Sequence, residues 1–214
     1  MTGDANTSAS TKVAGYVMAG GGSTRFGRDK ALVEIGGRPM LTRMIELLQH
    51  VTKQVKIVAA PGKYAAFGAE IVEDRWPGEG PLGGIITALE DAAKSATRCE
   101  WNLIVSCDMP FLTREWLKFL VQRGTKSKSQ VVLPHSASGP EPLCACWRTE
   151  VLESLRSGFA RGVRKVTDGI ALLQAEVLDG KDWKRFDSAG RLFWNMNTAA
   201  DYEEARRILE AERK

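Results

Sequence analysis

Ala14-Gly15-Tyr16-Val17-Met18, running directly into Ala19-Gly20-Gly21-Gly22-Ser23-Thr24-Arg25-Phe26-Gly27-Arg28-Asp29-Lys30, is the stretch from which the fold is read. A short apolar run followed at once by glycines predicts a buried strand ending in a loop. Three consecutive glycines let the backbone turn left-handed and approach a ligand without Cβ obstruction, so that successive amides can converge on phosphate oxygens. Arg25 can fork two such oxygens, and Lys30 brings a mobile point charge suited to a phosphorus centre gaining negative charge. The plain alternative is an ordinary glycine-rich turn. Two familiar loops fail against these residues. A Walker A loop requires Gly-Lys-Ser/Thr at its end, but Gly27 is followed by Arg28 and Asp29; the dinucleotide fingerprint requires a third glycine where Arg25 stands.

Outward from this loop the chain alternates strand and helix. Strands are expected at Val55 to Ala60, Ala69 to Val72, Trp101 to Ser106 and Gln130 to Leu133, most of them buried on both faces. Helical stripes recur at Met40, Leu41, Met44, Ile45 and Leu48, and at Leu82, Ile85, Ile86, Leu89 and Ala93, with Pro39 and Pro81 at their starts. Thr113 is expected to cap a third helix, with a Leu112/Leu117 staple and Trp116, Leu120 and Val121 inward. A last helix should follow Thr198 and bury Tyr202, Ala205 and Leu209. The pattern predicts an α/β fold: a three-layer, doubly wound, mostly parallel sheet in a single domain over residues 13–214, behind a disordered tail over 1–12. Residues 158–191 give no clear periodicity.

Such sheets bind ligands at the carboxyl ends of their strands, so the residues after each strand are the candidates. The third strand runs into Glu73-Asp74 and then the loop Gly78-Glu79-Gly80-Pro81-Leu82-Gly83-Gly84. Asp74, Gly80 and Gly84 either serve an anion or a carbonyl-rich ring at the helix start, or simply cap and close a turn. The fourth strand ends in Cys107-Asp108-Met109-Pro110; Asp108 either ligates magnesium or stabilises the turn before Pro110. Near the end, Asn195 and Asn197 stand two apart, suited to a metal, a ribose or a helix cap.

Composition narrows the chemistry. Of 214 residues, 30 are basic and 26 acidic, and the basic ones are scattered, which favours phosphorylated small molecules over nucleic acid. Arg123 to Lys128 and Lys181 to Arg185 read as solvated loops. With two histidines and no GxSxG, a Ser-His-Asp scheme is hard to assemble. Cys99, Cys107, Cys144 and Cys146 show no CxxC pair and read as buried, reduced thiols. No stretch reaches the length of a membrane span, and the small polar N-terminus lacks a signal core, so the expected compartment is cytoplasmic.

With these elements in order, the sequence resembles the molybdenum cofactor guanylyltransferases of the MobA type, from about Gly15 to Ala205. Val17 to Leu32 resembles the family's LAGGxSxRMGxDKxL. Gly80 to Gly84 is similar to GPLxG, Cys107 to Pro110 to CDxP, Glu141-Pro142-Leu143 to QPL, and Asn195 to Thr198 to NxNTPxxL. The resemblance implies a Rossmann-like nucleotidyltransferase fold. It also implies transfer of GMP from GTP to the phosphate of molybdopterin with release of pyrophosphate, a magnesium cofactor, and transient contact with other molybdenum cofactor biosynthesis proteins. By it Met18, Ala19 and Gly20 would meet base and ribose; Gly21, Arg25 and Lys30 the phosphates; Asp74 the guanine nucleotide. Asp108 and Asn197 would hold the metal, with Lys30, Arg25 and Asp108 catalytic. Phe26, Glu141 and Ala199 replace Met, Gln and Pro of the pattern, and Ala59 stands where relatives can carry an asparagine, which would remove a nucleotide contact. Glu141 would add negative charge if it faces the cleft. Related cytidylyltransferases tend to show AAG where this chain has Ala19-Gly20-Gly21. Cytidylyl transfer, transfer to a sugar phosphate and a non-catalytic nucleotide-binding regulator are the alternatives.

Overall fold

The computed structural model describes residues 13–20 and 29–212. The expected tail over 1–12 and residues 21–28 of the glycine loop, with Gly21 and Arg25, lie outside the described residues. Strand β1, Val13–Met18, is buried throughout. A two-residue hairpin follows, β2 (Glu34–Ile35) with β3 (Arg38–Pro39), leading into helix α1, Met40–Gln49. Then come β4 (Gln54–Ala59), β5 (Glu70–Glu73), α2 (Pro81–Lys94), β6 (Trp101–Ser106) and α3 (Arg114–Lys126). The second half holds β7 (Val131–Ser136), β8 (Gly139–Pro140), β9 (Cys144–Arg148), α4 (Leu152–Ala160), α5 (Val166–Ile170), β10 (Ala175–Leu178), α6 (Gly180–Trp183) and α7 (Ala199–Ala211).

The central sheet runs in the order β10-β7-β9-β6-β1-β4-β5, with β8 paired to the end of β7. Strands β5, β4, β1 and β6 are parallel neighbours, as are β7 and β10. Only β9, between β6 and β7, and the short β8 run against their neighbours in this sheet. The sheet is therefore mostly parallel, as expected. Its chain path reverses direction beside β1: β4 and β5 lie on one side and β6 on the other. A crevice opens at the carboxyl ends of the strands at such a switch point.

Alternation along the strands assigns the two layers. Val13 and Val17 of β1, Leu103 and Val105 of β6, and Cys144 and Cys146 of β9 pack with Leu41, Met44, Ile45 and Leu48 of α1 and Trp116, Leu117, Leu120 and Val121 of α3. Ala14, Tyr16 and Met18, Ile104, and Ala145 and Trp147 pack on the other side, against α2 and α4. Each fully buried Leu, Ile or Trp contributes about 1.5 to 3 kcal/mol of transfer free energy, so these faces fix the strand register. A third, smaller cluster joins Ile35, Met40, Met196 and Ala205 and pins α7.

Thr113 caps α3 by accepting from the Trp116 amide, and the staple residues Leu112 and Leu117 share one cluster. Thr198 caps α7 reciprocally with Asp201. On α7 Ala205 and Ile208 are the buried positions, while Tyr202 and Leu209 pack partly buried against the cluster that holds Ala205. The edge strand β5 is not buried on both faces. Arg123 to Lys126 is the last turn of α3 rather than a solvated loop, because Gly124 lets that turn approach Cys146 closely. All four cysteines are free and buried; burial pushes the Cys144 thiol up to about 12. Among the described residues no helix is long and apolar enough to cross a membrane.

Candidate active site

Four strand tips are stitched together at the switch point by three backbone hydrogen bonds. The Ala19 amide donates to the Val58 carbonyl at 2.9 Å, the Cys107 amide to Met18 at 3.1 Å, and the Asp74 amide to Ala59 at 2.7 Å. These bonds hold Met18 to Gly20, Asp74 and Asp108 at the mouth of one cleft of about 330 Å³. That volume lies within the range of small-molecule sites. Its described lining also includes Asp29, Lys30, Val58, Gly78, Gly80, Gly84, Ser106 and Leu143.

Lys30 is the meeting point. Its ammonium donates to Asp108 Oδ2 at 3.0 Å and to Asn197 Oδ1 at 2.9 Å, across 78 and 167 residues of chain. Two oxygens from distant elements thus already converge on one cation. Each is held from behind. Ser106 Oγ donates to Asp108 Oδ1 at 2.6 Å, so the carboxylate cannot swing. The Asn197 segment is fixed because the Met196 amide donates to the Asp108 carbonyl at 2.9 Å and the Met196 side chain is fully buried. Phe111 and Trp194 stack at 5.4 Å alongside.

Lys30 is itself presented by a turn that Asp29 closes. Asp29 Oδ1 accepts from the Ala31 amide at 3.1 Å, and its carboxylate accepts from the Tyr64 hydroxyl at 2.7 Å and from Lys63 at 3.2 Å. Burial, then the Asp29 bond, pushes the Tyr64 hydroxyl pKa upward, so it stays a proton donor at neutral pH. The described lining carries three carboxylates, Asp29, Asp74 and Asp108, against the one ammonium of Lys30.

On the opposite wall, Gly80 precedes α2 with φ at +84°, a conformation that disfavours a side chain. Gly84 has a different reason: a methyl there would collide with the terminal methyl of Met18. Its absence lets Met18 form the cleft wall. Asp74 faces Gly20, its Oδ2 lying 3.8 Å from where a Cβ of Gly20 would stand.

The structure thus brings Met18, Ala19, Gly20, Lys30, Asp74, Gly80, Gly84 and Asp108 to one cleft, with Asn197 bonded to Lys30 at its edge. Asn195 turns elsewhere: its amide donates to the Phe193 carbonyl at 3.1 Å. Ala59 is fully buried and is not among the cleft's described lining residues, so its small size does not open that wall. Glu141 is also buried and outside that lining, accepting from Ser136 Oγ at 2.7 Å. Burial holds its carboxyl above the usual range, against the Ser136 bond, His135 and Asn195; the charge of Asp108 adds to the rise. Sequence reasoning missed Ser106, Asp29 and Tyr64. Ser106 could have been found as the strand residue two before Asp108, on the same face; nothing in the sequence couples Asp29 to Tyr64.

The chain is similar to known proteins over most of its length. The family model described as MobA-like NTP transferase domain matches residues 15–175. A protein of Deinococcus radiodurans named "Probable molybdenum cofactor guanylyltransferase" is 34% identical over 188 residues, covering 88% of this chain and 91% of its own length. The molybdenum cofactor guanylyltransferase of Desulfosudis oleivorans is 30% identical over 203 residues, covering 94% and 98%. The crystal structure of molybdopterin-guanine dinucleotide biosynthesis protein A from Archaeoglobus fulgidus superposes with a TM-score of 0.77 at 25% identity, covering 92% of this chain and 99% of that one. With its switch-point cleft, its convergent Lys30, Asp108 and Asn197, and a family match over most of its length, the chain belongs to the MobA-like NTP transferase family.

Proposed function

We propose that the protein transfers GMP from GTP to the phosphate of molybdopterin, releasing pyrophosphate. The observation that carries this reading is the convergence of Asp108 Oδ2 and Asn197 Oδ1 on the Lys30 ammonium at the switch-point cleft. In the reaction an oxygen of the acceptor phosphate forms a bond to the α-phosphorus of GTP while the bond to the bridging α–β oxygen breaks. No proton need be removed from an ionised phosphate, so the protein's task is positioning and charge neutralisation.

Magnesium fits the residues present. It takes few protein oxygens and completes its shell with water and phosphate, and here one carboxylate and one amide carbonyl oxygen already share a cation. Asp108 and Asn197 would hold it. Bound there, magnesium neutralises phosphate charge and polarises the phosphoryl oxygens. Lys30 stabilises charge at the α-phosphate, and Ser106 keeps Asp108 from rotating. Met18 and Gly20 shape the wall that accepts base and ribose, with Gly84 against the Met18 side chain and Gly80 at the start of α2. Asp74 accepts hydrogen bonds from the base. Gly21 and Arg25 complete the phosphate cradle.

Substitution tests these roles. Lys30→Ala and Asp108→Ala should each lower kcat by about 100-fold or more, the size of loss when a preorganised charge contact is removed. Thermal unfolding should shift little, because both side chains sit at a cleft rather than in the core. Variants that lose stability in step with activity would make the two residues structural instead.

A further inference from the structure

We infer that Thr87 is a positioning residue for base selection, acting by orienting the Asp74 carboxylate; this rests on the reading that Asp74 meets the nucleotide base. Thr87 is the seventh residue of α2, nearly two turns in, and is 1% exposed. Its Oγ accepts from the Arg75 amide at 3.2 Å. Its single proton is shared between the Gly83 carbonyl at 3.0 Å and Asp74 Oδ1 at 3.3 Å. The Trp76 amide donates to the same Oδ1 at 3.0 Å. One oxygen of Asp74 is therefore engaged from the protein side by two donors, and among the described residues none donates to the other. That other oxygen, Oδ2, is the one turned toward Gly20 and the cleft.

The consequence is chemical selectivity. An ionised carboxylate only accepts hydrogen bonds. Guanine presents a ring N–H and an amino group side by side. Adenine and cytosine place an acceptor nitrogen beside their amino group, and uracil flanks its N–H with carbonyl oxygens. A carboxylate oxygen held toward the cleft can accept from both neighbouring N–H groups of the guanine edge, whereas adenine, cytosine and uracil each offer it one donor beside an acceptor that repels it. If the carboxylate rotated freely, part of that discrimination would be lost, because solvent-exposed rotamers would compete. Thr87 also bonds one turn back to Gly83, as buried threonines in helices do, so a purely helical role must be separated from this one.

The test is steady-state kinetics with GTP and with ITP, which lacks the 2-amino group, on the wild type, Thr87→Val, Thr87→Ser, Asp74→Ala and the Thr87→Val/Asp74→Ala double variant. Thr87→Val should raise KM for GTP about tenfold, the size expected for a hydrogen bond to a charged group, and should lower the preference for GTP over ITP. Its kcat should change far less. Thr87→Ser should keep both values near those of the wild type, and Thr87→Val should add nothing further once Asp74 is Ala, which leaves no carboxylate to orient. Unchanged KM and unchanged discrimination in Thr87→Val would overturn the inference. So would an equal increment in the Asp74→Ala background, which would assign Thr87 to helix structure alone. If Thr87→Val fails to fold, the comparison of Thr87→Ser with Thr87→Ala reads the same coupling. A wild type that uses another triphosphate better than GTP would defeat the guanylyl reading, and the Thr87–Asp74 coupling would then be decided on that preferred triphosphate.

Discussion

Glu141 shows how a single buried carboxylate can be put to use without touching the cleft. It stands where the family pattern carries Gln, it is buried, and burial raises its pKa. A carboxyl whose folded pKa is raised binds its proton more tightly in the folded state. Its contribution to stability is therefore fullest below the unfolded pKa and is lost as pH rises through the folded one. Glu141→Gln removes this titration while keeping an acceptor for Ser136. The variant should melt higher than the wild type at pH 7, and the gap should close as the pH falls toward 4; scanning calorimetry across that range reads it. A gap that is constant with pH would mean the carboxylate is not what costs stability. Lys30, Asp108 and Asn197, which the structure brings together, could be picked out in the sequence because each follows a strand or precedes a helix. Ser106, Asp29 and Tyr64 were not, since what matters is which donor faces which oxygen across up to 35 residues of chain.

At the scale of elements, the coupling between β1 and α2 decides the cleft's shape. Gly84 leaves room for the Met18 methyl against α2, and Met18 walls the cleft. Gly84→Ala should displace only the end of a flexible side chain, costing about 1 kcal/mol or less of stability. The displaced thioether has to move within the nucleotide wall, so KM for the triphosphate should rise about tenfold with little change in kcat. Kinetics alongside a melting curve checks this, and an unchanged KM would show that Met18 does not bound the base. The helices and central strands were legible because their buried positions recur at periods the sequence prints: β1, β4 and β6, then α1, α2 and α3. What escaped was the antiparallel β9, whose direction no local pattern encodes, and the half-exposed edge strand β10, where Ala175 and Val177 stay in solvent. The five-residue α5 and four-residue α6 are too short to show a helical period.

At the scale of the whole molecule, eight strands and two helical layers bring one lysine, one aspartate and one asparagine from three parts of the chain to within hydrogen-bonding distance. The sheet's reversal beside β1 creates the place, and buried anchors such as Met196 set the geometry. The fold class and the position of the cleft could be read from the alternation of strands and helices. The pairing of its carboxylates with their supports could not, because it depends on packing between elements. Nothing about the acceptor's seat is written in a short motif either. A cleft that joins GMP to a phosphate acceptor is tested by the mass of the product formed with molybdopterin, magnesium and each of GTP, CTP, ATP and UTP in turn. One principal product is expected, molybdopterin plus GMP, formed from GTP with one pyrophosphate per turnover and abolished by chelating the metal. A cytidylyl product as the main species, or no acceptor-dependent pyrophosphate with any of the four, would contradict it.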